Sequence, residues 1–265
     1  MIERYEFKYL VTEAMVPEIR RTVLSIGRRD PYAGEDGSYT IRSLYLDTPG
    51  YHLFWANGRQ QRDRFKARVR TYPGKSAPTF LEIKRRTGDV IRKTRGVVSG
   101  DWLGLALGRR QPTAEEQRRS GLANFLEKTL RYHLEPKMLV DYEREAFASD
   151  IDSYARLTVD RRVRGQAVDR WTLEADEHRW RPVDIGLVAD GYRESVAVLE
   201  LKFERRPPRW MVGMVRRLEL ERRSFSKYGY TVETQLRQPE RREPPGPSVF
   251  LDSALQTQPL STSTA

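Results

Sequence analysis

The stretch from Phe65 to Arg86 limits most sharply what this chain can fold into. It reads FKARVRTY, turns through Pro73 and Gly74, and resumes as TFLEIKRR. Phe65, Ala67 and Val69 alternate with Lys66, Arg68 and Arg70, the two-residue period of a strand with chemically opposite faces. In the second segment Leu81 and Ile83 face one way, and Glu82, Lys84 and Arg86 the other. Two neighbouring strands therefore share a cationic face with a carboxylate set in it. Like charges placed opposite one another destabilise a sheet. Such a face is either the wet side of an amphipathic sheet or the lining of a cavity for a polyanion.

Composition bears on that choice. The 265 residues carry a formal charge of +11, which implies a polyanionic partner: nucleic acid, a phosphorylated metabolite, polyphosphate or an acidic membrane surface. Hydrophobic residues make up 38%, enough for a core in one large domain or two small ones. Cysteine is absent, which excludes disulfides, a thiolate nucleophile and Cys-ligated zinc or iron–sulfur centres. His52, His133 and His178 are the only histidines, so a metal would rest on carboxylates, which favours Mg²⁺ or Mn²⁺. No signal peptide and no apolar run near 18 residues is visible. The expectation is a soluble cytoplasmic protein that reaches the inner face of a membrane only through a partner protein.

Taken in order, RYEFKYLV opens as a strand with Arg4, Glu6 and Lys8 on one face. Thr12 and Pro17 then begin a helix with Met15, Ile19, Val23 and Ile26 as its stripe. SYTIRSLYLDTP is a strand, 49–61 a short helical or irregular connection, and VIRKTRGVV a further strand. DWLGLALG reads as a helical turn. Thr113 and Glu116 form a capping box opening a helix over 114–132, with Leu122, Phe125, Leu126 and Leu130 as its apolar face. Strands follow at 137–147, at 154–161, around Glu174, and around Glu200 and Lys202. A helix over 209–221 has Trp210, Val215 and Leu218 inward. The chain divides into a folded domain, 1–235, and a Pro-rich tail, 236–265, too polar to offset its ordering entropy.

Of the roughly eight strands, several share one pattern, Arg, Lys and Glu on one face and Leu, Ile, Val, Phe and Tyr on the other. A closed or nearly closed barrel can place the charged face inward and cover its apolar outside with helices. Its lumen would carry Arg4, Lys8, Lys66, Arg68, Arg70, Lys84, Arg144, Arg156 and Lys202. Such a lumen is costly when empty and makes sense if phosphates enter it. Glu200, Glu6 and Glu82 are then either metal ligands or ion-pair partners of these cations.

The stretches RYEFKYL (4–10), RSLYLDT (42–48), FKARVRTY (65–72), LEIKRR (81–86), VDYEREAF (140–147), RLTVD (156–160), LELKF (199–203) and FSKY (225–228) resemble, in order, the VTC domain. That domain is the catalytic unit of polyphosphate polymerases within the triphosphate tunnel metalloenzyme (CYTH-like) superfamily. The resemblance implies an α+β fold, an eight-stranded antiparallel β-barrel with helices packed outside, that binds a triphosphate and a divalent metal. It implies transfer of the γ-phosphate of ATP to a growing polyphosphate chain with release of ADP. By position, Lys8, Arg68, Arg70, Lys84, Arg144 and Arg156 resemble the phosphate-contacting residues. Lys202 and Lys227 join them, with Ser226 as a hydroxyl donor, and Glu200 matches the metal-binding glutamate.

Hydrolytic relatives begin with ExExK. Here Arg4 stands at the first acidic position, which favours an anionic acceptor over water. The expectation is a stand-alone bacterial catalytic domain, with no sensor domain before the first strand and no membrane helix after the last. Competing readings are a tunnel-fold triphosphatase or polyphosphatase, a non-catalytic polyphosphate or nucleotide sensor, and a nucleic-acid binder. The last is disfavoured because the cations sit on alternating strand positions.

Overall fold

The computed structural model describes residues 4–88, 90–118, 121–152, 154–183 and 195–236. Its centre is one antiparallel sheet. β1 (Arg4–Thr12) leads through a 3₁₀ turn to α1 (Val16–Leu24) and β2 (Gly27–Arg29). β3 (Tyr39–Asp47), α2 (His52–Gly58), β4 (Asp63–Thr71), β5 (Thr79–Thr87) and β6 (Val90–Val98) follow. Next come α3 (Trp102–Ala106), α4 (Ala114–Arg118), α5 (Gly121–Arg131), β7 (Glu135–Ser149), β8 (Arg156–Ala167) and β9 (Arg181–Pro182). β10 (Val196–Glu204), α6 (Arg209–Arg217) and α7 (Lys227–Leu236) complete the domain. The strand order is β1-β10-β8-β7-β3-β4-β5-β6, with β2 beside β7 and β9 beside β8.

The sheet is strongly curled. Six inter-strand steps separate β1 from β5, which in a flat sheet would span about 29 Å at about 4.8 Å per step. Yet Lys84 Nζ on β5 donates to both carboxylate oxygens of Glu6 on β1, at 2.9 and 3.0 Å. The charged faces therefore look at one another across an interior.

The barrel expected from the sequence is corrected in two respects. Ten strands are present among the described residues instead of eight, and no strand ladder joins β1 to β6, so the sheet is not closed. The segment 222–226 lies against β1 instead. Arg222 bridges Tyr9, and the Arg223 N–H donates to the Lys8 carbonyl at 2.9 Å.

The alternation seen in the sequence sorts three cores. Outside β1, β8 and β10, Val16, Ile19 and Val23 of α1 and Met211 and Met214 of α6 cover Val159, Leu199 and Leu201. Outside β3 to β6, Leu105, Leu122 and Phe125 cover Leu44, Val69, Leu81 and Ile83. The third core lies inside: Ile41, Tyr45, Val140, Tyr142 and Val198 on the concave face pack against Phe225, Tyr228, Tyr230 and Val232 of the α7 region. One part of the interior is thus filled by a helix and the rest keeps its charges.

Other expectations are adjusted locally. The capping box forms, Thr113 and Glu116 exchanging hydrogen bonds, but α4 ends at Arg118 and α5 begins at Gly121. Leu130 is 78% exposed, because it falls off the stripe that Leu122 and Phe125 bury. No strand forms around Glu174; the backbone there is irregular and leads into a 3₁₀ turn at Glu177–Arg179. The helix expected over 209–221 stops at Arg217 and buries Met211 and Met214, leaving Trp210, Val215 and Leu218 only partly buried. α7, β2 and β9 were not expected. The proposed tail lies outside the described residues beyond Leu236.

Asp47 anchors the interior helix. Its carboxylate accepts the N–H groups of Leu53 and Phe54, starting α2, and the Tyr228 hydroxyl at 2.7 Å. The Tyr228 ring stacks on Tyr45 at 5.1 Å. Removing the hydroxyl in Tyr228→Phe deletes a buried hydrogen bond to a charged group and is expected to cost about 2 kcal/mol, read as a lower urea midpoint with unchanged m-value.

Candidate active site

Register brings the charged residues together. Across β1 and β10, Glu6 faces Lys202 and Lys8 faces Glu200; across β10 and β8, Glu200 faces Thr158 and Lys202 faces Arg156. On the far side, Lys66 faces Lys84 and Arg68 faces Glu82. Between them, Arg144 on β7 faces Asp160 on β8.

Three anionic centres organise the cations. The first is Glu6 with Glu200. Lys8 Nζ lies 3.8 Å from Glu6 and 3.7 Å from Glu200, Lys202 is 2.5 Å from Glu200, and Lys84 holds Glu6. Burial alone would raise the pKa of Glu200; Lys202, Lys8 and Arg144 instead hold it well below the usual carboxylate range. Glu6 is also lowered, against burial and the charge of Glu200, by Lys84, Lys8 and Lys202.

The second centre is Glu82. Arg68 and Arg70 reach it at 2.8 and 2.9 Å, and Lys93 and Arg95 at 2.8 Å each. Burial opposes ionisation there, and these cations overcome it, holding the carboxyl far below its ordinary value. Burial and the charge of Arg68 push Lys93 down to about 7 despite Glu82. The third centre is Asp160, fully buried, which takes two bonds from Arg144 at 2.6 and 2.7 Å and one from Lys227 at 2.5 Å.

A cleft of about 220 Å³ opens beside the first centre. Of the residues expected at the site, Glu6, Lys8, Lys66, Lys84 and Ser226 line it. Arg68, Arg70, Arg144, Glu200, Lys202 and Lys227 stand behind in the ion-pair network. Arg156 shares their face beside Lys202 but is exposed. Arg4 is placed by its backbone alone, opposite Glu204.

Sequence reasoning missed several members. Asp160 was legible from strand alternation, since it shares the polar face of its strand with Arg156 and Thr158; Lys93 and Arg95 were not, because Arg92 on the opposite face leaves the phase of VIRKTRGVV open. Arg222 and Arg223 were not, because they enter from an irregular segment with no period. That segment also donates to the site: Lys66 Nζ bonds to Ser226 Oγ at 2.8 Å, and Lys8 Nζ to the Phe225 carbonyl at 3.0 Å.

The donor set fits a divalent cation at one place. Glu200 and Glu6, hard oxygen donors on adjacent strands, suit Mg²⁺ or Mn²⁺, which takes one or two carboxylates and completes its shell with phosphate and water. No cluster of three or more acidic or histidine ligands occurs among the described residues. Glu82 does not fit this role, because four cations already occupy its oxygens.

Lys66 is the most perturbed base in the cleft. Burial, followed by the charges of Lys8, Lys84 and Arg64, pushes its pKa well below the ordinary lysine value. A lysine lowered on folding opposes folding when protonated, so the empty protein gains stability as pH rises from the folded pKa towards the unfolded one. An entering phosphate reverses this by favouring the ammonium form. Lys66→Met is therefore expected to raise the ligand-free melting temperature by about 2–4 °C, equivalent to about 1 kcal/mol. It should also weaken tripolyphosphate binding about tenfold and reduce the proton uptake on binding, measured calorimetrically in buffers of different ionisation heat. A lower melting temperature with unchanged proton uptake would make Lys66 a structural residue.

Among curated proteins no sequence matches the chain. Solved structures similar to the chain at low identity include three. A candidate adenylate cyclase from Bacillus halodurans has 15% identity and a TM-score of 0.47 over 83% of this chain and 92% of that one. The PH1819 protein from Pyrococcus horikoshii OT3 has 11% identity and a TM-score of 0.46 over 87% and 99%. A candidate adenylyl cyclase from Hippeastrum, described as having a dominant triphosphatase activity, has 10% identity and a TM-score of 0.46 over 88% and 96%. The VTC domain matches residues 3–235, and the protein belongs to the VTC domain family.

Proposed function

We propose that this protein is a polyphosphate polymerase that transfers the γ-phosphoryl group of ATP to the end of a polyphosphate chain and releases ADP. Family membership supports a polyphosphate- or triphosphate-related activity. The observation that carries the finer reading is the state of the carboxylates in the channel. Glu6, Glu82, Asp160 and Glu200 are each held by lysine or arginine and lowered in pKa. A carboxylate so stabilised is a poor general base for water. A terminal phosphate needs no base, since it arrives as an anion and requires cations to overcome repulsion.

Lys8, Lys66 and Lys84 would receive the phosphates, with Arg68, Arg70, Arg144 and Arg156 supplying charge behind and beside them. Glu200, with Glu6, would hold Mn²⁺ or Mg²⁺, which neutralises phosphate charge when bound. Lys202, Ser226, Lys227 and Arg4 would serve as substrate-side contacts. An oxygen of the acceptor's terminal phosphate forms a bond to the γ-phosphorus. The bond from that phosphorus to the β–γ bridging oxygen breaks, and ADP leaves with its electron pair. Alignment and charge stabilisation do the catalysis.

A triphosphatase remains the second reading, favoured by Glu6. It keeps the second glutamate of ExExK and reaches into the cleft beside Glu200. Incubation with γ-labelled ATP and Mn²⁺ separates the two. Labelled long chains on a gel are expected, and labelled orthophosphate alone would reject the polymerase reading. Glu200→Gln is expected to lower turnover at least 100-fold and to raise the metal concentration at half-maximal rate. Because it leaves Lys202 and Lys8 without their carboxylate, it also lowers the melting temperature. Glu82→Gln, which strands four cations, should instead destabilise the fold by about 3–5 kcal/mol and leave the metal concentration at half-maximal rate unaltered.

A further inference from the structure

One buried hydroxyl in the charged interior has no partner. Thr158 stands on β8 between Arg156 and Asp160, on the face that turns inward, while Leu157 and Val159 turn outward to the core covered by α1 and α6. The residue is 7% exposed, and its Oγ1 is buried without a hydrogen bond. Leaving such a group unpaired costs free energy, although acceptors stand close by. Glu200 lies directly opposite across the β10–β8 ladder, but its carboxylate is engaged by Lys202 at 2.5 Å and Lys8 at 3.7 Å. Asp160, two positions along the same face, is taken by Arg144 and Lys227.

The surroundings of this hydroxyl suit an anion. In the β7–β8 ladder Thr158 faces Ala146 and Arg156 faces Ala148, with Arg144 opposite Asp160 on the other side. The two alanine side chains end at Cβ and leave room between the guanidinium-bearing positions. Arg144 engages Asp160 through Nε and Nη2 only. Arg156 is exposed and, among the described residues, in no ion pair. The ordinary alternative is a β-branched residue present for its fit to a strand, but valine fills that role without desolvating a hydroxyl. Ser43 shows the contrast. Its Oγ is also unpartnered, yet it has no exposed surface and lies between Ile41 and Tyr45 of the apolar inner core. Thr158 lies among charges.

We propose that Thr158 is a substrate-contacting residue whose hydroxyl donates a hydrogen bond to a non-bridging oxygen of a phosphate seated between Arg144 and Arg156. The inference rests on the reading of the interior as a phosphate channel and deepens it. Arg156 and Lys202 flank Thr158 along the strand and diagonally across the ladder. Their long side chains turn onto the entering phosphate, which uncovers the hydroxyl. A neutral donor beside two guanidinium groups fixes the direction of one oxygen where charge alone would only attract it.

Tripolyphosphate binding should be measured calorimetrically for the wild type, Thr158→Val, Thr158→Ser and Arg156→Gln. Each is titrated with EDTA and again with Mg²⁺, and ligand-free melting temperatures are recorded. Thr158→Val keeps the shape and removes the hydroxyl. It is expected to weaken tripolyphosphate binding about tenfold in both conditions. Its ligand-free melting temperature should hold or rise, because an unpaired buried group is gone. Thr158→Ser, which restores the donor, should stay within about threefold of the wild type. Unchanged affinity in the valine variant, a serine variant as weak as the valine one, or a lower ligand-free melting temperature in the valine variant would overturn the contact. So would a loss seen only with Mg²⁺, which puts the hydroxyl on the metal instead. If Arg156→Gln weakens binding and Thr158→Val does not, the channel reading stands and the Thr158 contact fails; if neither weakens it, both fail. A wild type that yields only orthophosphate from ATP rejects the polymerase reading and leaves these affinities to judge Thr158.

Discussion

The ion pair between Glu6 and Lys84 is the contact on which the rest depends. It joins the first strand of the sheet order to one next to the last, and it can exist only if the sheet curls until its charged faces meet. Once they meet, the sign of the ordinary amphipathic rule is inverted. Val159, Leu199, Leu201, Leu44, Val69, Leu81 and Ile83 of the strands turn outward to α1, α3, α5 and α6, and Lys8, Lys66, Arg68, Lys84 and Arg144 turn inward. Repulsion among those cations is the energetic cost of this arrangement. It is moderated by Glu6 and Glu200, by Glu82 and by Asp160, each placed where several cations converge.

The interior is divided, not uniform. Tyr228, Tyr230 and Val232 of α7 occupy part of the concave face and convert it to an apolar core, with Asp47 fastening the helix by the Tyr228 hydroxyl. The remaining part keeps its charge and opens as the cleft. Placing Lys227 at the start of that same helix ties the two halves, since its ammonium group bonds Asp160, which also holds Arg144. The residues that stabilise the plug and those that arrange the cations are therefore coupled through one buried carboxylate.

The three anionic centres differ in what they can do. Glu82, ringed by Arg68, Arg70, Lys93 and Arg95, acts as a structural counter-charge. Asp160 is enclosed by Arg144 and Lys227. Glu6 lines the cleft with Glu200 buried behind it, and they are the pair chemically suited to a divalent ion. Residue type alone could not have separated these roles, because a glutamate flanked by arginines on a strand reads the same way in each case. The distinction lies in how many cations from other strands reach the oxygens.

The sequence by itself determined the two-faced strands, the capping box at Thr113, the family and, of the cationic lining of the cleft, Lys8, Lys66 and Lys84, because strand alternation and helix capping are properties of adjacent residues. It also determined that Lys66, Lys84, Arg68 and Arg144 would share a face. Tertiary structure alone decided that the sheet stays open between β1 and β6, that 222–226 lies along β1, and that α7 fills one part of the interior. It decided too that Leu130 is wet and that 172–176 is not a strand. These outcomes depend on contacts between residues far apart in the chain, whose free energies no local period encodes.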